Sequence, residues 1–227
     1  MLKQSPLCPR RLVRYLATAL VAMCVTSIAY AQEIDTKLVS QACETAGTEH
    51  SALVETLQSN GWQVVEPTNL SETDLALFTY AGLDNRIRPS DAEGFRWKAA
   101  WDMSQRMAGG LRLLKPSEGP RIYRSFLNAE NAVLRAETYL VNGTPTRTIC
   151  TLTASGQLAA NMASQPLAED AIALYSYDLT PHGSSALALF RPSLVTKLSG
   201  NPTIRANPDL VASLTISTDL NTEQVIQ

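Results

Sequence analysis

Two histidines, His50 and His182, limit the acid–base and metal chemistry open to this chain of 227 residues. His182 lies in the turn-like stretch Thr-Pro-His-Gly-Ser-Ser, so a small hydrolase centred on His182 is one hypothesis. Ser184 and Ser185 are near it in sequence, but adjacency alone does not make a triad, and the motifs GxSxG, HExxH and SxxK are absent. His50 falls on the same helical face as Cys43, a position typical of a helix-face or core-edge histidine.

Paired carboxylates and nucleotide motifs add no specific chemistry. Glu130 and Glu137 could act as the two carboxylates of a glycosidase, but an acidic chain offers many such pairs. Glycine-rich phosphate loops are absent, and the oxygen-rich stretch 84–93 lacks the spacing of a calcium loop. We therefore expect no cofactor and no metal site, and we favour a protein that is not an enzyme.

A pair of tryptophans is the most suggestive binding feature. Trp97 and Trp101 are one helical turn apart, and the cations Arg96 and Lys98 lie beside them. A solvent-facing indole pair flanked by cations could bind a sugar, a peptide or an anionic polymer. The same spacing is typical of a stripe that fills the groove between a helix and a sheet, so core packing is the competing interpretation.

The first 31 residues have the three parts of a secretory signal peptide. Four basic residues precede an uncharged apolar run, 15–29, and no acidic residue occurs before Glu33. Ala29-Tyr30-Ala31 places small side chains where a signal peptidase requires them. We expect cleavage between Ala31 and Gln32, ordinary Sec-type export, and a periplasmic or secreted mature protein of residues 32–227.

Three alternatives to this interpretation are weaker. A membrane anchor needs about 20 apolar residues, more than the run supplies, so no membrane span is expected after cleavage. A lipoprotein would use Cys24, but Met23 precedes it where a small residue is required. Arg10-Arg11 suggests twin-arginine export, although the following residues do not continue that motif.

The mature part is acidic but unevenly charged. Removing residues 1–31 leaves 15 basic and 21 acidic residues, a net charge of −6 that argues against nucleic acid as a partner. Residues 32–84 carry −8, whereas residues 85–150 carry +5. One interpretation is that these two parts pack together and their fields offset. The other is a basic face for an anionic ligand or an envelope protein.

Cys43 and Cys150 remain after cleavage. In an oxidising compartment the simplest state of such a pair is one structural disulfide. A redox or metal site is the alternative, but no CxxC is present and the two residues are far apart in sequence.

The periodicity predicts helices first and a sheet later. Helices are expected at 34–47, from Thr48, at 72–80 after a Ser71/Asp74 capping box, from Ser90 to Gly109-Gly110, and at 166–175. Strands are expected at 62–66, 111–115, 121–127, 132–141, 146–153, 185–190 and 210–217. The sequence therefore predicts one α+β domain, with N-terminal helices packed on a largely antiparallel sheet.

The hairpin around Asn142-Gly143 has a predictable register. A three-residue loop with a bulge pairs Ala136 with Cys150, which collects the apolar side chains and the cysteine on one face. Glu137 and Arg147 then lie on the other face.

The chain has a signal peptide followed by Cys43, Gly61-Trp62 and Cys150. This arrangement resembles that of small uncharacterised exported proteins of proteobacteria. The resemblance covers about half of the chain. It implies a periplasmic location and a paired cysteine, and it supplies no activity.

The chain is large enough to hold a set of catalytic residues, but its sequence shows none. We therefore favour a non-enzymatic periplasmic protein that binds a ligand or a protein partner. A small periplasmic hydrolase and a structural role in the envelope are the alternatives.

Overall fold

The described residues form a seven-stranded antiparallel sheet with helices packed on both of its faces. The computed structural model describes residues 35–45, 49–84, 94–115, 121–163, 165–180, 183–199 and 209–220. The α-helices of this part are α1 (Thr36–Thr45), α2 (His50–Ser59), α3 (Glu72–Asp84), α4 (Gly94–Gly110), α5 (Gln157–Met162) and α6 (Pro192–Ser199). The strands are β1 (Gln63–Val65), β2 (Ile122–Ala129), β3 (Ala132–Val141), β4 (Thr144–Ser155), β5 (Ala173–Thr180), β6 (Gly183–Phe190) and β7 (Val211–Asp219). The α+β class predicted from the sequence is confirmed.

The strands are ordered β1-β2-β3-β4-β7-β6-β5, and each pairs antiparallel with its neighbours. We call the side that carries Cys150 the disulfide face; α1, α2 and α5 cover it. On the opposite face, α3 and α4 bury an apolar core against the sheet, together with α6. Period-two alternation makes both cores possible, because successive side chains of a strand point to opposite faces.

The predicted hairpin register is confirmed. Ala136 pairs with Cys150, and the register shifts between Tyr139 and Leu140. The loop itself is shorter than expected: Asn142 and Gly143 both have positive φ and form a two-residue turn. The extra residue is accommodated in the bulge rather than in the loop.

Local signals explain where α3 begins. The Ser71 hydroxyl accepts a hydrogen bond from the Asp74 amide at 3.1 Å, and the Asp74 carboxylate accepts one from the Ser71 amide at 2.8 Å. The helix ends at Asp84 and not near Tyr80, so Gly82 lies inside it. A Cβ at Gly82 would come within 2.9 Å of Ser104, so this glycine allows α3 to approach α4 closely.

The prediction of a helix at 166–175 is wrong. Tyr175 lies in β5, and residues 165–172 form no regular element. The Arg191 guanidinium donates hydrogen bonds to the carbonyls of Leu167 and Ala168, and the Arg191 amide donates to the carbonyl of Ile172. The bonds to Leu167 and Ala168 engage carbonyls that a helix would have used as acceptors.

Other expectations near the element ends also changed. The strand expected at 111–115 is a 3-10 turn over Leu111–Leu113. Helices α5 and α6 were not expected at all. The expected caps Thr48 and Ser90 lie outside the described residues.

Cys43 and Cys150 form the predicted disulfide, which joins α1 to β4 across 107 positions of sequence. Both residues are 1% exposed and lie in the core of the disulfide face. Within the described part of the chain, no helix is both long and apolar enough to span a bilayer.

Replacing both cysteines with alanine should lower the free energy of unfolding by about 4–5 kcal/mol, because the bridge closes a loop of about a hundred residues. Urea denaturation measures this loss, and the m-value should rise as the unfolded chain expands. The reduced parent protein should match the double variant. An unchanged midpoint would show that the bridge does not stabilise the fold.

Candidate functional site

The tryptophan pair is not a solvent-facing site. Trp97 and Trp101 are each 3% exposed and belong to the core to which α3, α4 and α6 contribute on the face opposite the disulfide. Trp101 packs edge-on against Tyr80, with ring centroids 5.2 Å apart. Arg96 and Lys98 lie on the exposed side of α4, where Lys98 pairs with Asp102 at 2.7 Å. The two indoles lie in the core, as the packing interpretation expects, so they do not form a solvent-facing pair beside Arg96 and Lys98.

Truncating either indole to alanine should destabilise the protein by about 3–5 kcal/mol, since both side chains are core residues. Met103, on the same helix, is 44% exposed, and Met103→Ala is the matched control with little expected change. Thermal unfolding of the three variants makes the comparison. A normally stable Trp101→Ala protein would contradict the burial of the indole.

His50 is held between two hydroxyl groups. It opens α2 and projects onto the disulfide face, where its Nδ1 lies 3.0 Å from Thr138 Oγ1 and its Nε2 lies 2.9 Å from Ser125 Oγ. The Tyr123 ring is 6.1 Å away. Burial lowers the pKa of His50 below its ordinary value. A neutral imidazole donates from one nitrogen and accepts at the other, and either hydroxyl can take the complementary role.

The surroundings of His50 favour a structural role over a catalytic one. A hydrolytic serine–histidine pair needs a group that orients the imidazole as a base, usually a carboxylate, and donors for an oxyanion. Among the described residues, hydroxyls alone hydrogen-bond the ring, and Thr138 lies only 3.3 Å from a further hydroxyl, that of Thr148. His50 therefore joins the start of α2 to strands β2 and β3.

The lowered pKa of His50 predicts a loss of stability in mild acid. As the pH falls below about 6.5, the unfolded chain binds a proton before the folded protein does, so the free energy of unfolding declines and then levels off below the folded pKa. His50→Gln keeps hydrogen-bonding capacity without this titration. Denaturation between about pH 7 and pH 5 should show a smaller decline for His50→Gln than for the parent. Equal declines would contradict this assignment.

On the face of the sheet opposite the disulfide, the buried carboxylate of Glu137 contacts several charged and polar side chains. Glu137 accepts a 2.6 Å hydrogen bond from the Arg124 guanidinium, and both side chains are less than 10% exposed. Arg135 lies 3.6 Å from the same carboxylate, and the Tyr139 hydroxyl donates to it at 3.4 Å. Burial raises the pKa of Tyr139, and the negative charge of Glu137 adds to this effect.

The basic middle of the chain is largely paired in the structure. Arg147 donates to Ser217 at 2.8 Å and lies 3.5 Å from Asp219. Arg112 lies 3.0 Å from Glu72, which joins the basic middle to the acidic N-terminal part. The Arg112–Glu72 pair supports the interpretation that the acidic N-terminal part offsets the basic middle, and Arg147 is paired with the C-terminal part.

The candidate site is a groove on the disulfide face, between α1 and α5. It has a volume of about 390 Å³. We call it the α1–α5 groove, and its lining is Lys37, Ser40, Gln41, Asn161, Met162 and Leu214. The polar members converge from two helices, while Leu214 of β7 supplies an apolar floor.

Local structure explains the lining. Val39, Ala42 and Cys43 turn the buried side of α1 to the sheet, which leaves Lys37 and Gln41 on a neighbouring side. Helix α5 follows Gly156, whose φ of 65° is the left-handed conformation that glycine favours.

Sequence reasoning missed the groove because α5 is only six residues long and has no periodicity that identifies it. Gly156 was the available signal for a break after β4.

The remaining predicted residues give no second site. His182 and the cleavage position Ala31/Gln32 lie outside the described residues. Within the described residues, no three His, Cys, Asp or Glu side chains are placed to share a metal ion. No family model matches the chain, and no curated protein or solved structure is significantly similar to it. The resemblance to small exported proteobacterial proteins stays a prediction.

Proposed function

We propose that the chain is an exported precursor and that its mature part, from Gln32, is a non-enzymatic periplasmic protein that binds a ligand in the α1–α5 groove. The observation that carries this proposal is the groove itself. Its volume of about 390 Å³ lies within the range of small-molecule sites, and polar groups from two helices converge above an apolar floor.

The lining indicates the chemistry of the ligand. Lys37 is the cation of the groove, and one ammonium suits one anionic group rather than a polyanion. Ser40 and Asn161 offer a hydroxyl and an amide, which suit a ligand with neutral polar groups. Met162 and Leu214 provide apolar contact, and methionine adapts to irregular shapes. A small molecule or peptide segment with one carboxylate and an apolar portion fits this set.

The disulfide and the N-terminal sequence support export. Structural disulfides persist in oxidising compartments, and the Cys43–Cys150 bridge is buried in the core. The basic start, apolar run and small residues before Gln32 have the pattern of a cleaved Sec-type leader.

Native mass spectrometry of the protein purified from its own host tests the proposal. The expected spectrum shows a chain that begins at Gln32 and carries additional bound mass. Ser40→Trp should remove the bound mass by filling the groove. Ser51→Trp, on the exposed side of α2, adds the same indole elsewhere and should keep it.

Lys37→Gln separates ligand binding from any effect of Ser40→Trp on folding. It approximately keeps the size of the side chain and should weaken retention of the bound mass, whereas Lys197→Gln, at an exposed position of α6, should not. A bare parent chain, or bound mass retained equally by all four variants, would contradict a ligand in this groove.

A further inference from the structure

Strand β5 ends the sheet on one side. It is eight residues long and pairs with β6 on its inner side, and the described part of the chain supplies no strand on its outer side. The other edge, β1, has only three residues. Backbone N–H and C=O groups along a free edge are a template for pairing with another strand.

Strand β5 lacks the devices that protect free edges. Residues 173–180 contain no proline, lysine or arginine, and the register with β6 runs through all eight residues without a bulge. Three of its large apolar side chains are exposed: Leu174 is 38% exposed, Tyr177 63% and Leu179 78%. A solvent edge with this composition is exceptional in a protein that remains alone.

We propose that β5 pairs antiparallel with β5 of a second copy of this chain, which joins the two sheets into one. The two-fold axis of such a dimer is perpendicular to the sheet, so each residue lies opposite one on the same face. The residue numbers of every pair must then have the same parity. This leaves a small set of registers, and the side chains choose among them.

The register centred on Tyr177 is the one that fits. It places the two Tyr177 rings opposite each other and Tyr175 opposite Leu179 of the second copy. Asp178 then lies opposite Ser176 of the second copy, whose hydroxyl can donate to the carboxylate. Aromatic and apolar pairs of this kind stabilise antiparallel neighbours.

The neighbouring registers are worse. Centring on Ser176 places Leu174 opposite Asp178, an apolar side chain against a charge. Centring on Asp178 places two carboxylates opposite each other, which is destabilising. Because Asp178 is the charged residue of β5, its partner decides the register.

The dimer also extends the existing core. Tyr175 packs edge-on against Phe190 at a centroid distance of 6.0 Å, and Phe190 in turn contacts Tyr80 at 5.6 Å. Tyr177 and Leu179 continue this row on the same face of the sheet. Pairing with a second copy would bring its Leu179 beside Tyr175, so that the apolar row runs from one core to the other.

Sedimentation equilibrium of the chain beginning at Gln32 tests the dimer. The weight-average mass should rise from one copy to two as the concentration increases. Tyr177→Lys and Leu179→Lys should each leave a folded monomer, because both positions are exposed in the single chain. In the dimer, two lysines would lie opposite each other at position 177, and a lysine at position 179 would face Tyr175. Leu113→Lys, at a position 86% exposed and away from β5, is the matched control and should still dimerise.

Cysteine cross-linking tests the register. Tyr177→Cys should form a disulfide-linked dimer on oxidation, since the two positions lie opposite each other, whereas Leu179→Cys should not. A parent mass that stays at one copy up to the highest soluble concentration overturns the proposal. So does a dimer that survives both lysine variants. Cross-linking of Leu179→Cys but not of Tyr177→Cys overturns the register.

Discussion

The Cys43–Cys150 bridge is the constraint on which the disulfide face depends. A ten-residue helix such as α1 is marginal in isolation, so its position has to come from tertiary contacts. The bridge attaches it covalently to β4, a strand in the interior of the sheet. The Thr218 hydroxyl adds a 3.4 Å hydrogen bond to the Cys43 carbonyl, which ties the same turn to β7. One wall of the α1–α5 groove is therefore fixed to β4 and to β7, the strand that supplies its floor.

The two faces of β3 fix its register together. Ala136 faces the disulfide, and the next residue, Glu137, faces Arg124 on the other side of the sheet. A slip of one residue would turn Glu137 into the apolar core and leave the Arg124 guanidinium without its carboxylate. A buried ion pair is weak evidence for net stability, but here it excludes the alternative register. The bulge after Tyr139 confines the irregularity to the hairpin end, beyond these positions.

Structures that depend on residues close in sequence were predicted correctly, whereas several that depend on residues far apart in sequence were not. The Ser71/Asp74 box and the alternation around Cys150 are local signals, and both identified their structures correctly. The failure at 166–175 came from Arg191, whose bonds reach back over 23 and 24 residues to carbonyls that no local pattern can reserve. The Trp97/Trp101 spacing defined a helical side but not which layer that side faces. The groove needs two helices far apart in sequence, so no window of residues contains it.

The groove and the β5 edge can operate at the same time, because they occupy different strands. The floor of the groove belongs to β7, and β6 separates that strand from β5. A two-fold axis perpendicular to the sheet keeps the disulfide faces of both copies on the same side. The proposed dimer would therefore present two grooves in one direction, related by the same axis. A ligand with two binding ends, or a surface that carries many copies of one, would then engage both grooves and bind more tightly than a single groove allows.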